Sequence, residues 1–200
     1  MNTEKKLGPL GEVNPYFFED ESKVDELREL LKDAHNLVAP DDERNLFKPK
    51  YEKALFEYLK HHSLHEANQW LLFLPEHEKV LLLFIENWVL GSIYEAKLFE
   101  PEYRERYLMK YIEFHNFADH DNEMLLWGSG MQEYRRFYMN QTEFHVREAE
   151  LMLLKPENAE DLQIYVKNKR RFFKDIEPKF RSQASPQLVA LYDLYHNAKS

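Results

Sequence analysis

Prolines set the frame of this chain. Pro40, Pro75, Pro101, Pro156, Pro178 and Pro186 interrupt apolar runs whose internal spacing is mostly three and four residues. That spacing is helical, and a proline seats well in the first turn of a helix but not in its interior, so the pattern predicts many helices with short connections. No run alternates as a strand does. The expectation is an all-α chain of about eight helices, with residues 1–21 as an extended arm and residues 22–200 as one compact helical domain. A helical-hairpin organisation stays open.

Individual signals refine this reading. Ser22 with Asp25 and Glu26 opens a helix whose face is Val24, Leu27, Leu30, Leu31 and Leu37, and a second helix runs from about Lys50 to His62. Ser63 with Glu66 reads as a capping box leading into Leu64 to Leu74, and Pro75 begins a long helix to about Phe99. The window Val80 to Ile93 holds Glu86 and is too short to span a bilayer, which needs about 20 apolar residues, so a buried central helix is expected there. Two echoes occur: Glu102-Tyr103-Arg104 recurs as Glu133-Tyr134-Arg135, and Glu113-Phe114-His115 as Glu143-Phe144-His145. Two imperfect copies do not establish a repeat, and coincidence among aromatic amphipathic helices is the reading taken.

Composition excludes several chemistries. With no cysteine among 200 residues, the chain has no disulfide framework, thiolate zinc site or cysteine nucleophile. The five glycines form no phosphate-cradling loop, and Gly128-Ser129-Gly130 lacks the wider pattern of a nucleophile elbow. The start has no apolar core of a signal peptide, so an intracellular site is expected, cytoplasmic or inside an organelle without a cleaved presequence, and not secreted. No cofactor and no transmembrane segment are expected.

Net charge is −9, unevenly placed. Residues 163–181 carry a local +5, which leaves −14 on residues 1–162. Such a body repels DNA. If the helix from about Ala159 runs to Glu177, then Lys167, Arg170, Arg171 and Lys174 form one basic stripe opposite Leu162, Tyr165, Val166, Phe172, Phe173 and Ile176. That stripe is the leading candidate for binding a protein partner, with peripheral contact to an anionic surface through residues 163–181 as a further use. Tyr16, Phe17 and Phe18 lie in an arm kept from being helical by Gly8, Pro9, Gly11 and Pro15. They either fold back on the core or anchor in a neighbour.

The densest polar cluster is His115, Asp119, His120, Asp121 and Glu123, a candidate metal site if those groups converge. Its His120-Asp121 doublet resembles that of the helical HD-type phosphohydrolases. The resemblance implies a second histidine upstream and an aspartate downstream, for which His77 and Asp161 are available. The functional expectation is a non-enzymatic helical interaction protein, a structural or accessory subunit of a multi-subunit intracellular assembly. The alternatives are an acidic inhibitor or immunity-type protein covering a basic partner, and a metal-dependent hydrolase built on residues His115 to Glu123.

Overall fold

The computed structural model describes Leu7 and residues 12–196. The chain is all-helical, and among the described residues extended pairing is confined to the isolated bridges Leu7 with Val13 and Glu12 with Leu37. It divides into two compact units, Met1–Tyr94 and Glu95–Ser200.

In the first unit α1 (Tyr16–Glu19) and α2 (Val24–Leu30) precede α3 (Pro40–Leu46) and α4 (Glu52–Leu59). A 3-10 segment, Glu66–Phe73, and α5 (Glu78–Asn87) follow. Here α4 packs between α2 and α5, while α3 packs on the 3-10 segment, which makes two layers. After α6 (Ser92–Lys97), the second unit continues through α7 (Pro101–Tyr103), a π-helical turn at Arg104–Leu108 and α8 (Met109–Phe114). Next come a 3-10 segment, His120–Trp127, then α9 (Gln132–Gln141), α10 (Arg147–Leu153), α11 (Ala159–Lys167), α12 (Glu177–Gln183) and α13 (Pro186–His196). One layer is α8, α9, α11 and α13 side by side, and the other pairs His120–Trp127 with α10.

Both units are built from one helical hairpin used repeatedly. Pro49, Pro75, Pro101 and Pro156 each start the second arm of a hairpin, because a missing N–H costs nothing in a first helical turn; from the sequence, helix starts are expected at Pro75 and Pro101, and Pro49 is passed over. The repeat does not follow the sequence echo. Phe114 is 46% exposed whereas Phe144 is buried, and the residue that stands where Phe144 stands is Phe117. Both rings bridge consecutive hairpins: Phe117 lies 5.3 Å from Tyr138, Phe144 lies 5.7 Å from Tyr165, and Phe172 continues the series at 5.7 Å from Tyr192. Each such pair contributes roughly 0.5–1.5 kcal/mol beyond the area it buries.

Several expected helices end early for identifiable reasons. The apolar run after Pro75 stops at Asn87, since Trp88 turns extended to place its indole N–H 2.6 Å from the Leu59 carbonyl. The end of the expected buried helix is therefore at the surface, with Ile93 73% exposed. Ser63 is no cap; the His65 ring accepts from the Ala67 N–H, and Glu66 is left free of the box. The expected helix from Ala159 to Glu177 ends at Lys167, because Lys169 takes a left-handed φ of 60° and the Arg170 N–H returns to the Tyr165 carbonyl at 3.3 Å. The N-terminal arm is not fully extended either, as Tyr16–Glu19 form one helical turn and Phe17 and Phe18 enter the core of the first unit.

Replacing Phe117 or Phe144 by alanine is expected to cost about 3–5 kcal/mol of unfolding free energy. Phe114→Ala should stay within about 0.5 kcal/mol. Urea denaturation followed by circular dichroism distinguishes this register from the one in the sequence echo, which would make Phe114 and Phe144 equivalent.

Candidate functional site

The buried acids are the chemically conspicuous groups, and four of them sit in the same place in successive hairpins. Glu43 accepts from the Tyr58 hydroxyl at 3.3 Å and from the His65 N–H at 3.0 Å, with the Asn68 amide at 2.7 Å. Glu95 accepts from the Tyr111 hydroxyl, from the Ala118 N–H at 2.6 Å and from the Asn122 amide at 3.0 Å. Glu123 accepts from the Tyr138 hydroxyl at 2.6 Å and from the N–H groups of His145 and Val146 at 2.8 and 3.0 Å. Glu150 accepts from the Tyr165 hydroxyl and the Phe173 N–H, both at 2.8 Å.

The spacing is constant: the tyrosine follows its glutamate by 15 residues in three copies and by 16 in the copy from Glu95. The extra residue coincides with the π-helical turn Arg104–Leu108, which absorbs a one-residue insertion while keeping Tyr111 in register. The N–H donor follows the glutamate by 22 or 23 residues.

A fifth copy uses Gln69. Its side-chain oxygen accepts from the Gly91 N–H at 2.8 Å, again 22 residues on, and the buried Phe84 replaces the tyrosine. Here the tyrosine hydroxyl and the negative charge are absent together. A Cβ at Gly91 would lie 2.7 Å from the carboxylate of exposed Glu66, so a larger residue there would displace that side chain.

Each acid thus joins the first arm of its hairpin to the second arm and to the chain leaving it. Burial raises the affinity of Glu43 for its proton, opposed by the donors from Asn68, His65 and Tyr58. Glu150 is pushed up to about 7, again chiefly by burial, with the carboxylates of Glu143 and Asp175 adding to the rise against the Phe173 and Tyr165 donors.

Of the expected metal ligands, the structure brings His120 and Glu123 together and adds His145, with one ligand atom of each within 4.8 Å of the others. His115 lies instead against Tyr111, Asp119 caps the 3-10 segment through the Asp121 N–H, and Asp121 is exposed. The trio fits a metal poorly. The His120 and His145 rings stack at 4.5 Å with an interplanar angle of 13°. Imidazole nitrogens bind in the ring plane at about 2.0–2.1 Å, and two nearly parallel planes do not meet at one ion. Both oxygens of Glu123 already accept bonds from the Tyr138 hydroxyl and from backbone N–H groups, as those of its counterparts do, and Oε1 also meets the His145 ring. The downstream aspartate of the HD-type reading is committed as well, since buried Asp161 is bound by Arg135 and by Arg136, the latter at 2.6 Å.

The partner-binding candidates are dispersed. Tyr16 donates to Asp20 at 3.0 Å, while Phe17 and Phe18 are buried against the unit's own core, Phe18 lying edge-on to Tyr51. The four cations expected on one helical face are not on one helix. Lys167 ends α11, and Arg170 caps α9 through the carbonyls of Met139 at 3.1 Å and Asn140 at 2.7 Å. Arg171 and Lys174 stand exposed in the segment that follows. Sequence reasoning missed Glu43, Glu95 and Glu150 as a set, although Glu-x-x-Leu-aromatic-x-Pro at Glu43 and Glu95, with a near copy at Glu150, was a readable signal.

Comparison with protein-family models, with curated proteins and with solved structures finds no match.

Two outcomes follow from this geometry. Glu150 binds its proton more tightly folded than unfolded, so its neutral form stabilises the fold fully below the ordinary glutamate range, and that contribution fades as pH rises to about 7. Glu150→Gln removes the titrating group and should flatten this dependence in chemical denaturation between about pH 5 and 8, and adding Tyr165→Phe reproduces the Gln69–Phe84 pairing and should keep it flat. Added zinc should leave the melting temperature unchanged. A rise that disappears in a His120→Ala, His145→Ala double variant would reinstate the metal reading.

Proposed function

We propose that this chain is a non-enzymatic helical-repeat interaction protein, a structural or accessory subunit of a larger assembly. The observation that carries this reading is the fourfold use of one buried glutamate as a fastener between hairpin arms, with Gln69 in a fifth copy holding the segment that leaves the hairpin. Buried acids with neighbouring hydroxyls and histidines are what a hydrolytic site would need, and here the donors around them are already spoken for. Within each unit the repetition builds a series of short turns and exposed helix faces, the form that repeat proteins use for binding surfaces. Among the described residues no helix is long and apolar enough to cross a membrane.

The uneven charge supports a protein partner over a nucleic acid, since the −14 on residues 1–162 opposes any phosphate backbone that is not confined to residues 163–181. Affinity capture of the tagged full chain at moderate salt, read by mass spectrometry, should return a partner in fixed stoichiometry. Absence of such a partner, together with metal-dependent phosphohydrolase activity abolished by His120→Ala, would replace this reading by the enzymatic one.

A further inference from the structure

The repeat breaks once, and the break opens a groove. In the five regular copies the second arm begins soon after the buried glutamate or glutamine, with Pro49, Pro75, Pro101 and Pro156 at that turn and Ser129 in the remaining copy. A sixth, degenerate copy starts at Glu177 and keeps its aromatic, Tyr192, at the usual spacing. Its proline, however, is Pro186, three residues late, so α12 runs on to Gln183 before the chain turns. Glu177 does not fasten its hairpin as the others do; it pairs with Arg181 at 2.7 Å.

Between the turn of the copy that starts at Glu150 and the delayed turn of the sixth lies a cleft of about 710 Å³. Leu151, Leu154 and Pro156 form one wall, Ala184 and Leu188 the other, and Leu162 part of the floor. Two lysines, Lys155 and Lys179, line it, and no carboxylate does. Neither lysine has an ion-pair partner among the described residues, although the chain as a whole carries nine more negative charges than positive. Gln163 also lines the cleft, and Lys167 follows it by one turn on the same face of α11, which extends the positive rim.

We propose that this groove is the docking site for a short acidic segment of a partner protein, whose apolar side chains enter between Leu154 and Leu188 while its carboxylates meet Lys155, Lys179 and Lys167. Apolar walls with unpaired cations on the rim suit an amphipathic acidic peptide, in which burial gives affinity and the rim charges give orientation and speed. A flat polyanion would use the rim and leave the walls empty. The inference rests on the interaction reading above and names the class of partner for it.

The test uses the full chain and a fluorescein-labelled synthetic peptide of alternating glutamate and leucine pairs, with lysine-for-glutamate and serine-for-leucine counterparts as controls. Anisotropy should show saturable binding of the Glu/Leu peptide, at least about tenfold weaker binding of either control, and weakening as salt rises. Lys155→Glu with Lys179→Glu should lose binding by a similar factor. So should Ala159→Trp, which places an indole over the groove from an exposed position and leaves the core alone. Circular dichroism and melting temperature of both variants should match the wild type.

Equal binding of all three peptides, or binding untouched by both variants, overturns the proposal, and so does failure of the Glu/Leu peptide to bind. Binding of the Glu/Leu and Glu/Ser peptides alike would show that anions are attracted by the rim alone, and overturns it too. If a stoichiometric partner is captured equally by wild type, Ala159→Trp and the charge-reversed variant, the interaction reading stands and this groove is eliminated. If none captures a partner while the peptide binds only the wild type, the groove stands and the assembly reading falls.

Discussion

A carboxyl group out of water must have its oxygens met by donors, and that constraint organises this chain. Each buried glutamate draws in a tyrosine hydroxyl from the second arm of its hairpin and a backbone N–H from the segment that leaves it. Three points on the chain are thereby fixed to one side chain. The short helices of the first arms have too few residues to be stable alone, and the 3-10 segments have poorer hydrogen bonds still. Fastening them through a buried acid substitutes tertiary bonding for helix length. Aromatic rings from the exit segments then carry order from one hairpin to the next through Phe117, Phe144 and Phe172.

Departures from the repeat are as informative as the repeat. Gln69 with Phe84 shows that charge is dispensable where the hydroxyl is also missing, because an amide oxygen still satisfies the Gly91 N–H. The π-helical turn before Met109 shows a one-residue insertion taken up without moving Tyr111 from its glutamate. Arg135 stands where other copies carry a leucine such as Leu55 or Leu162, and its charge is met by buried Asp161 of the next copy and by the Leu126 carbonyl at 2.9 Å. Breaking such a pair by removing one partner is costly, because it leaves the other charge buried and unmet.

Fold class was legible because proline placement and apolar spacing act locally. The repeat was less so. Exact triplets drew attention to Glu113 and Glu143, which are both surface residues, whereas the conserved physics lies in residue types at long intervals: an acid, then an apolar pair and a proline, then a tyrosine. Substitution of Ser129 for proline, of Gln69 for glutamate and the insertion before Tyr111 each erase one letter of that pattern. Helix ends were missed where a distant acceptor decides them. Nothing near Lys169 in sequence announces a left-handed residue, since it is the buried carboxylate of Glu150 that requires Phe173 to turn back.

The same logic explains why the cluster around His120 looked like chemistry. Polar residues gather at that point because the exit segment of one hairpin, the cap of the next and the fastening acid all meet there. Asp119 caps, its N–H donates to Glu95 at 3.2 Å, and Glu123 lies one turn further in. A reader of sequence sees histidines and acids in close succession and infers convergence on a ligand. Asp119 and Glu123 do find partners, but these are backbone N–H groups, which ask for the same electronegative atoms that a cation would. Distinguishing the two needs the count of donors already satisfied at each carboxylate oxygen, and that count exists only once segments more than twenty residues apart have been brought together.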